Sequence, residues 1–304
     1  MRTSLRLPPA VLLILACALW GGATVLSKAL LASIPPVALL VLQLAPSAAI
    51  LWLAFGLSRR RTAPKSLFLP LVLLGLLNPG ISYTLSLMGL AHISANVSTL
   101  LWAAEPLMIL SLAAIVLREP VTPRLLGVML AGMFGVLLVA DALGGFSGND
   151  PVGVLLLLSG VLCCAFYTVF SRKLSETVDS LYIVAVQQTA GLAWAVALLL
   201  AGTSYGSPGD VAQVPLKLAA VAALSGLLYY AAAYWLYIAA LRSVPAAVAG
   251  SYFNVIPVFG VTFAFLFLGE RLTAIQWIGA IVILVSVFEL VRLTRRDEGE
   301  GETA

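Results

Sequence analysis

The chain has 304 residues, 62% of them hydrophobic and 10% charged, against about 25% charged in an ordinary soluble domain. That composition excludes a soluble globular protein, because a bilayer span needs only about 20 apolar residues and this chain is long enough to cross many times. The 17 basic residues exceed the 13 acidic ones by a formal +4 and lie in short clusters between apolar runs, a pattern that sets membrane topology and offers no stripe for nucleic acid.

In chain order the apolar runs lie at 9–31, 35–57, 67–90, 94–117, 123–140, 151–173, 180–201, 214–240, 245–268 and 273–292. They predict an all-α integral membrane protein with ten transmembrane helices. The first run is longer than the 7–15 residues of a signal-peptide core and reads as an uncleaved span. With both termini cytoplasmic, fourteen basic residues fall inside, and only Lys28, Lys217 and Arg271 fall outside, as the positive-inside bias requires. Asp297, Glu298, Glu300 and Glu302 follow the last span and read as a solvated end.

Sliding the chain against itself by 151 residues aligns Leu73–Thr122 with Leu224–Thr273 without a gap and with 14 identities. Leu and Ala inflate chance matches. The matched Tyr83 with Tyr234, Pro106 with Pro257, Glu119 with Glu270 and Thr122 with Thr273 do not come from composition. The predicted division is a first five-helix repeat over 1–142, a second over 143–293 and an acidic cytoplasmic tail over 294–304. An odd number of spans per half inverts the second half in the membrane, which places a solute site near the midplane between the halves.

Halving each span puts Trp20, Gln43, Asn78, Trp102–Pro106, Cys163, Gln187, Tyr229, Tyr230 and Asn254–Pro257 at that depth, where polar groups are costly without a partner. Candidate solute-binding residues are Trp20, Asn78, Tyr83, Trp102, Glu105, Tyr167, Tyr230, Tyr234 and Asn254. Aromatic walls with a few polar anchors suit an aromatic or large neutral amino acid. Glu105, the one carboxylate near the centre of any span, reads as an amine contact or proton acceptor, with a packing carboxyl as the bland alternative. Pro106 and Pro257 are expected to kink their helices at matched depth and to serve as hinges, a static kink being the alternative.

Lys28 lies near the outer end of its span and reads as snorkelling. Gln43, Gln187, Gln188 and Asn96 read as interhelical glue, and Glu119 and Glu270 as ties to helix N-termini. Gly127, Ala131 and Gly135 form a small-residue ladder for intramolecular packing, with a homodimer face as the alternative. Cys17, Cys163 and Cys164 all sit in apolar runs and His92 is the sole histidine, so no metal site, cofactor motif or catalytic cluster is expected. The expected partners are a small-molecule solute and the lipid bilayer, with no nucleic acid. A lipid-modifying enzyme and a non-transporting membrane sensor are the rival classes.

The phrase LRSVPAAVAGSYFNVIPVFGVTFAFLFLGERLT from Leu241 to Thr273, followed by Gln276, Trp277, Ile278 and Gly279, resembles the repeat signature of the drug/metabolite transporter superfamily, EamA type. Leu90–Thr122 is a less exact copy, and Trp20-Gly21 with Lys28 resembles that family's first helix. The resemblance implies a ten-helix exporter of the bacterial inner membrane with a central cavity and peripheral fifth and tenth helices. It falls nearest the aromatic amino-acid exporter branch, with export of other drug-like or metabolite solutes as the alternative. A reporter fused after Arg296 is expected to score cytoplasmic and one at Gly148 external; the opposite pattern would overturn the topology.

Overall fold

Inside a bilayer each apolar run must satisfy its own backbone, so the runs become helices. The computed structural model describes residues 8–58, 64–116, 122–142, 150–171, 178–241 and 252–301. The helices are α1 (Pro9–Leu31), α2 (Pro36–Leu57), α3 (Lys65–Gly75), α4 (Ser82–His92), α5 (Ala95–Trp102), α6 (Glu105–Val116) and α7 (Pro123–Val139). They continue with α8 (Pro151–Ser171), α9 (Ser180–Ala201), a short α10 (Pro208–Gln213), α11 (Leu216–Gly226), α12 (Ala233–Leu241), α13 (Ile256–Phe263) and α14 (Ala274–Gly301). Five of these begin on a proline, Pro9, Pro36, Pro123, Pro151 and Pro208, where the missing N–H is one that no helix could pair anyway.

Among the described residues, six helical segments are long and apolar enough to cross a membrane, and three shorter apolar helices accompany them. Their outward faces carry Leu53, Phe68, Leu130, Leu155 and Phe288, all more than half exposed, as a lipid-facing surface requires. α14 runs on through the charged segment to Gly301. Arg and Glu are good helix formers, and Arg292 pairs with Glu289 one turn back at 3.5 Å.

Four runs are not continuous α-helix. A π-helical turn at Leu76–Ile81 joins α3 to α4, with Asn78 out of helical conformation at φ −144°, ψ 117°. A second π turn, Leu227–Ala232, joins α11 to α12, 151 residues further along. α5 stops at Trp102 and α6 starts at Glu105, and α13 follows a 3-10 turn at Tyr252–Val255. Pro106 and Pro257 therefore do not kink a helix interior as the sequence suggested. Each sits in the first turn of a new helix, where its lost donor costs nothing, and the break falls just before it.

Close helix approach depends on glycine at matched places. A Cβ on Gly75 would collide with the backbone of Gln187 on α9, and one on Gly226 with the backbone of Gln43 on α2. Gly75 and Gly226 are themselves 151 residues apart. Gly135 of α7 and Gly279 of α14 approach each other in the same way, whereas Gly127 faces open space, so only one rung of the small-residue ladder packs within the chain. Gly226→Val should cost about 1–3 kcal/mol, the usual range for overpacking, and lower the thermal unfolding midpoint in detergent. Gly127→Val should leave that midpoint unchanged.

Candidate functional site

The breaks bring aromatic side chains to the middle of the bundle. Tyr83 of α4 stacks on Trp102 at the end of α5, with ring centroids 5.8 Å apart. It also meets Tyr229 and Tyr230 edge-on at 5.5 and 5.2 Å. Tyr234 faces it across the second of the two cavities described below. Tyr83 and Tyr234, the residues matched by the 151-residue alignment, thus line one cavity together. A second cluster is built on Trp20, which takes Tyr234 and Phe253 edge-on at 5.4 Å each and Tyr237 at 5.9 Å.

Tyr83 and Tyr230 are the common wall of two small cavities. The first is lined mainly by Thr24, Ser27, Ser86, Ser98, Trp102 and Tyr229, the second by Asn78, Pro79, Tyr167, Gln187, Gln188 and Tyr234. Among the described residues, no charged side chain lines either. The space in each suits about one or two water molecules, so admission of a solute requires the surrounding helices to part.

Of the predicted solute-binding residues, Tyr83, Trp102 and Tyr230 meet in the first cavity, and Asn78, Tyr83, Tyr167, Tyr230 and Tyr234 in the second. Trp20 and Glu105 line neither. Trp20 is packed by its aromatic neighbours, and the Glu105 carboxyl lies beside Cys164 and Thr168 of α8. The side chain of Asn254 lies outside the described residues, as does Glu119.

The amide-rich positions divide. Gln43 Nε2 donates to Ser27 Oγ at 2.9 Å and to Ser225 Oγ at 2.8 Å. Gln188 accepts from Ser47 at 2.6 Å and donates to the Tyr230 carbonyl at 2.9 Å; both are interhelical glue. Gln187 accepts from the Tyr167 hydroxyl at 2.9 Å, but its Nε2 has no hydrogen-bond partner among the described residues, and neither has Asn78 Oδ1. Sequence reasoning placed Gln187 with the glue. The Asn-Pro-Gly turn signal at 78–80 was the available sign that α3 and α4 would break beside it.

One end of the bundle is joined by polar side-chain contacts. The Glu270 carboxylate accepts from the backbone N–H groups of Ala95 and Asn96, both at 2.9 Å. It thereby caps the N-terminus of α5, where a negative group is favoured. Lys28 Nζ donates to the carbonyls of Leu90 and Ala91 at 2.9 and 3.3 Å. It caps α4 instead of snorkelling, a correction that follows from the orphan carbonyls at a helix C-terminus. His92 Nδ1 and Asp150 lie 3.0 Å apart at the same end. Two charge-assisted bonds from one carboxylate are worth about 1.5–3 kcal/mol each at most. Glu270→Ala should therefore raise, about tenfold or more, the rate at which a cysteine placed at Ser98 reacts with a membrane-impermeant thiol reagent applied at that face.

The chain matches the EamA-like transporter family twice, over residues 7–140 and 151–292. It is 27% identical over 281 residues to the uncharacterized transporter YvbV of Bacillus subtilis, covering 91% of this chain and 90% of that protein. It is 28% identical over 229 residues to an uncharacterized transporter of Methanothermobacter thermautotrophicus, covering 73% of this chain and 64% of the relative. A solved crystal structure shares the fold at a TM-score of 0.63 and 20% identity, over 95% of this chain and 98% of its own. With two matches that together span most of its length, the chain belongs to the EamA-like transporter family of the drug/metabolite transporter superfamily and is a multi-pass membrane protein.

Proposed function

We propose that this chain is a secondary exporter of the bacterial inner membrane that moves compact amphipathic solutes, aromatic and other neutral amino acids foremost, by alternating access. The observation that carries the reading is the tyrosine- and tryptophan-walled cavity pair at the helix breaks, free of charged lining residues, closed at one end by Glu270 and Lys28. Aromatic walls bury and stack a flat apolar body. A site without fixed charge disfavours solutes of net charge, whose desolvation would go uncompensated.

The proposed architecture is ten spans in two inverted five-helix halves, over 1–142 and 143–293, with both termini cytoplasmic. Three matched features support it: the π turns at Leu76–Ile81 and Leu227–Ala232, the glycine contacts Gly75 with Gln187 and Gly226 with Gln43, and the shared cavity of Tyr83 and Tyr234. Helix breaks just before Pro106 and Pro257 are the proposed hinges, because a break between two helices bends without tearing a hydrogen-bonded ladder.

Flux of labelled solutes in proteoliposomes tests the function. Phenylalanine and tryptophan should be carried in preference to charged amino acids, sugars and nucleotides. Trp102→Ala should lower transport of aromatic solutes about two- to twelvefold more than that of leucine, the range expected from loss of about 0.5–1.5 kcal/mol of ring contact. Absence of flux for every panel member would leave the sensor reading in its place.

A further inference from the structure

Gln43 is the eighth residue of α2 and Gln187 the eighth of α9, and each backs a matched glycine. A purely structural amide would be satisfied in both places. Gln43 is satisfied, by two serines from two other helices. Gln187 is not: Tyr167 takes only its Oε1, which holds the amide with Nε2 turned away from that hydroxyl and without a partner among the described residues. Asn78 breaks the symmetry as well, since its aligned residue is Tyr229. It lies in the one π turn with a non-helical residue, and its Oδ1 has no partner among the described residues. Both side chains line the second cavity and are 4% and 3% exposed. A buried donor or acceptor left unmade costs about 1–3 kcal/mol, so a lone acceptor and a lone donor on one cavity wall point to something that occupies the cavity.

We infer that Asn78 and Gln187 form a donor–acceptor pair that reads the polar end of the transported solute. Asn78 Oδ1 accepts from a solute N–H while Gln187 Nε2 donates to a solute oxygen. The inference rests on the aromatic-solute reading above and names the missing half of the ligand: beside its flat body the solute carries an adjacent donor and acceptor with no net charge. The ammonium and carboxylate of an aromatic amino acid meet that description, and so does the neutral edge of a carboxamide or lactam. Either way the tyrosines hold the ring and the two amides set its direction. A solute that keeps only the donor, or only the acceptor, leaves one amide unpaired and is rejected, which is how a site built on hydrogen bonds gains most of its selectivity.

The test uses the full chain in proteoliposomes with tryptophan, indole-3-acetamide, tryptamine and indole-3-acetate, with apparent affinity read by competition. Wild type should hold tryptophan or indole-3-acetamide, whichever source supplies the pair, at least tenfold more tightly than tryptamine and indole-3-acetate. Gln187→Met removes the donor and should collapse the preference over tryptamine, which has no acceptor to offer. Gln187→Glu keeps an oxygen for Tyr167, turns the donor into an acceptor and should invert the preference. Asn78→Asp, which keeps the acceptor, should retain tryptophan and gain tryptamine; it serves if a Gln187 variant fails to fold. Variants that fold and lower every solute equally, leaving the ratios at wild-type values, would overturn the pair while leaving the exporter standing. A wild type that carries none of the four would overturn both.

Discussion

A backbone N–H or C=O in the hydrocarbon core has no water to turn to, and the arrangement of this protein follows from that constraint. Regular helix meets it along the lipid-facing lengths, where Leu155 and Phe288 stand exposed. Irregular backbone is affordable only where other protein groups take up the freed valences. The breaks at Asn78 and at Trp102–Glu105 accordingly sit inside the bundle. Thr84 donates to the Gly80 carbonyl at 2.7 Å, and Ser82 reaches the Gly160 carbonyl of α8 at 2.8 Å. What the breaks release is space, and the tyrosines fill its walls.

The same accounting explains why one end of the bundle can close. A helix end leaves backbone donors or acceptors orphaned, and the corner between α4 and α5 offers both: carbonyls at Leu90 and Ala91, N–H groups at Ala95 and Asn96. Lys28 and Glu270 arrive from α1 and from the loop before α14 with the complementary charges, and they stand within electrostatic reach of each other. The clamp is therefore made of side chain to backbone bonds that are separable as units, while Gly21 beneath it lets α1 lie against Gly260 of α13. In the proposed alternating access, close glycine packing gives a surface along which helices slide or rock, and the charged caps serve as the latch.

Much of this was legible in the sequence. Apolar length gave away the helices, and the 151-residue self-alignment singled out Tyr83 and Tyr234 before any contact between them was known. Glu270 was readable as a helix tie because a carboxylate at the end of a span has few other uses. What was not legible depended on partners far away in the chain. Lys28 near a span end looks the same whether it snorkels or caps, and its carbonyl partners lie 62 and 63 residues on. Gln43 and Gln187 are indistinguishable as letters, because satisfaction of an amide is a property of its surroundings. The π turns were hidden for a further reason: a turn widened by one residue changes which hydrogen bond is made without changing which residues are apolar.

The neutral lining has a consequence for how tightly any solute can be held. A transporter must bind well enough to select and weakly enough to release on the other side, and a buried ion pair is difficult to break in low dielectric. Amides and phenols supply hydrogen bonds of moderate strength, and the one central carboxylate of the spans, Glu105, lies beside Cys164 and Thr168 outside the cavity lining. On the proposed reading, water stands in for the solute at Asn78 and Gln187 between transport cycles. A solute that displaces it must reproduce the bonds that water made or lose affinity. Selectivity then comes from matching two fixed polar atoms, and release needs only that water return to them as the helices part.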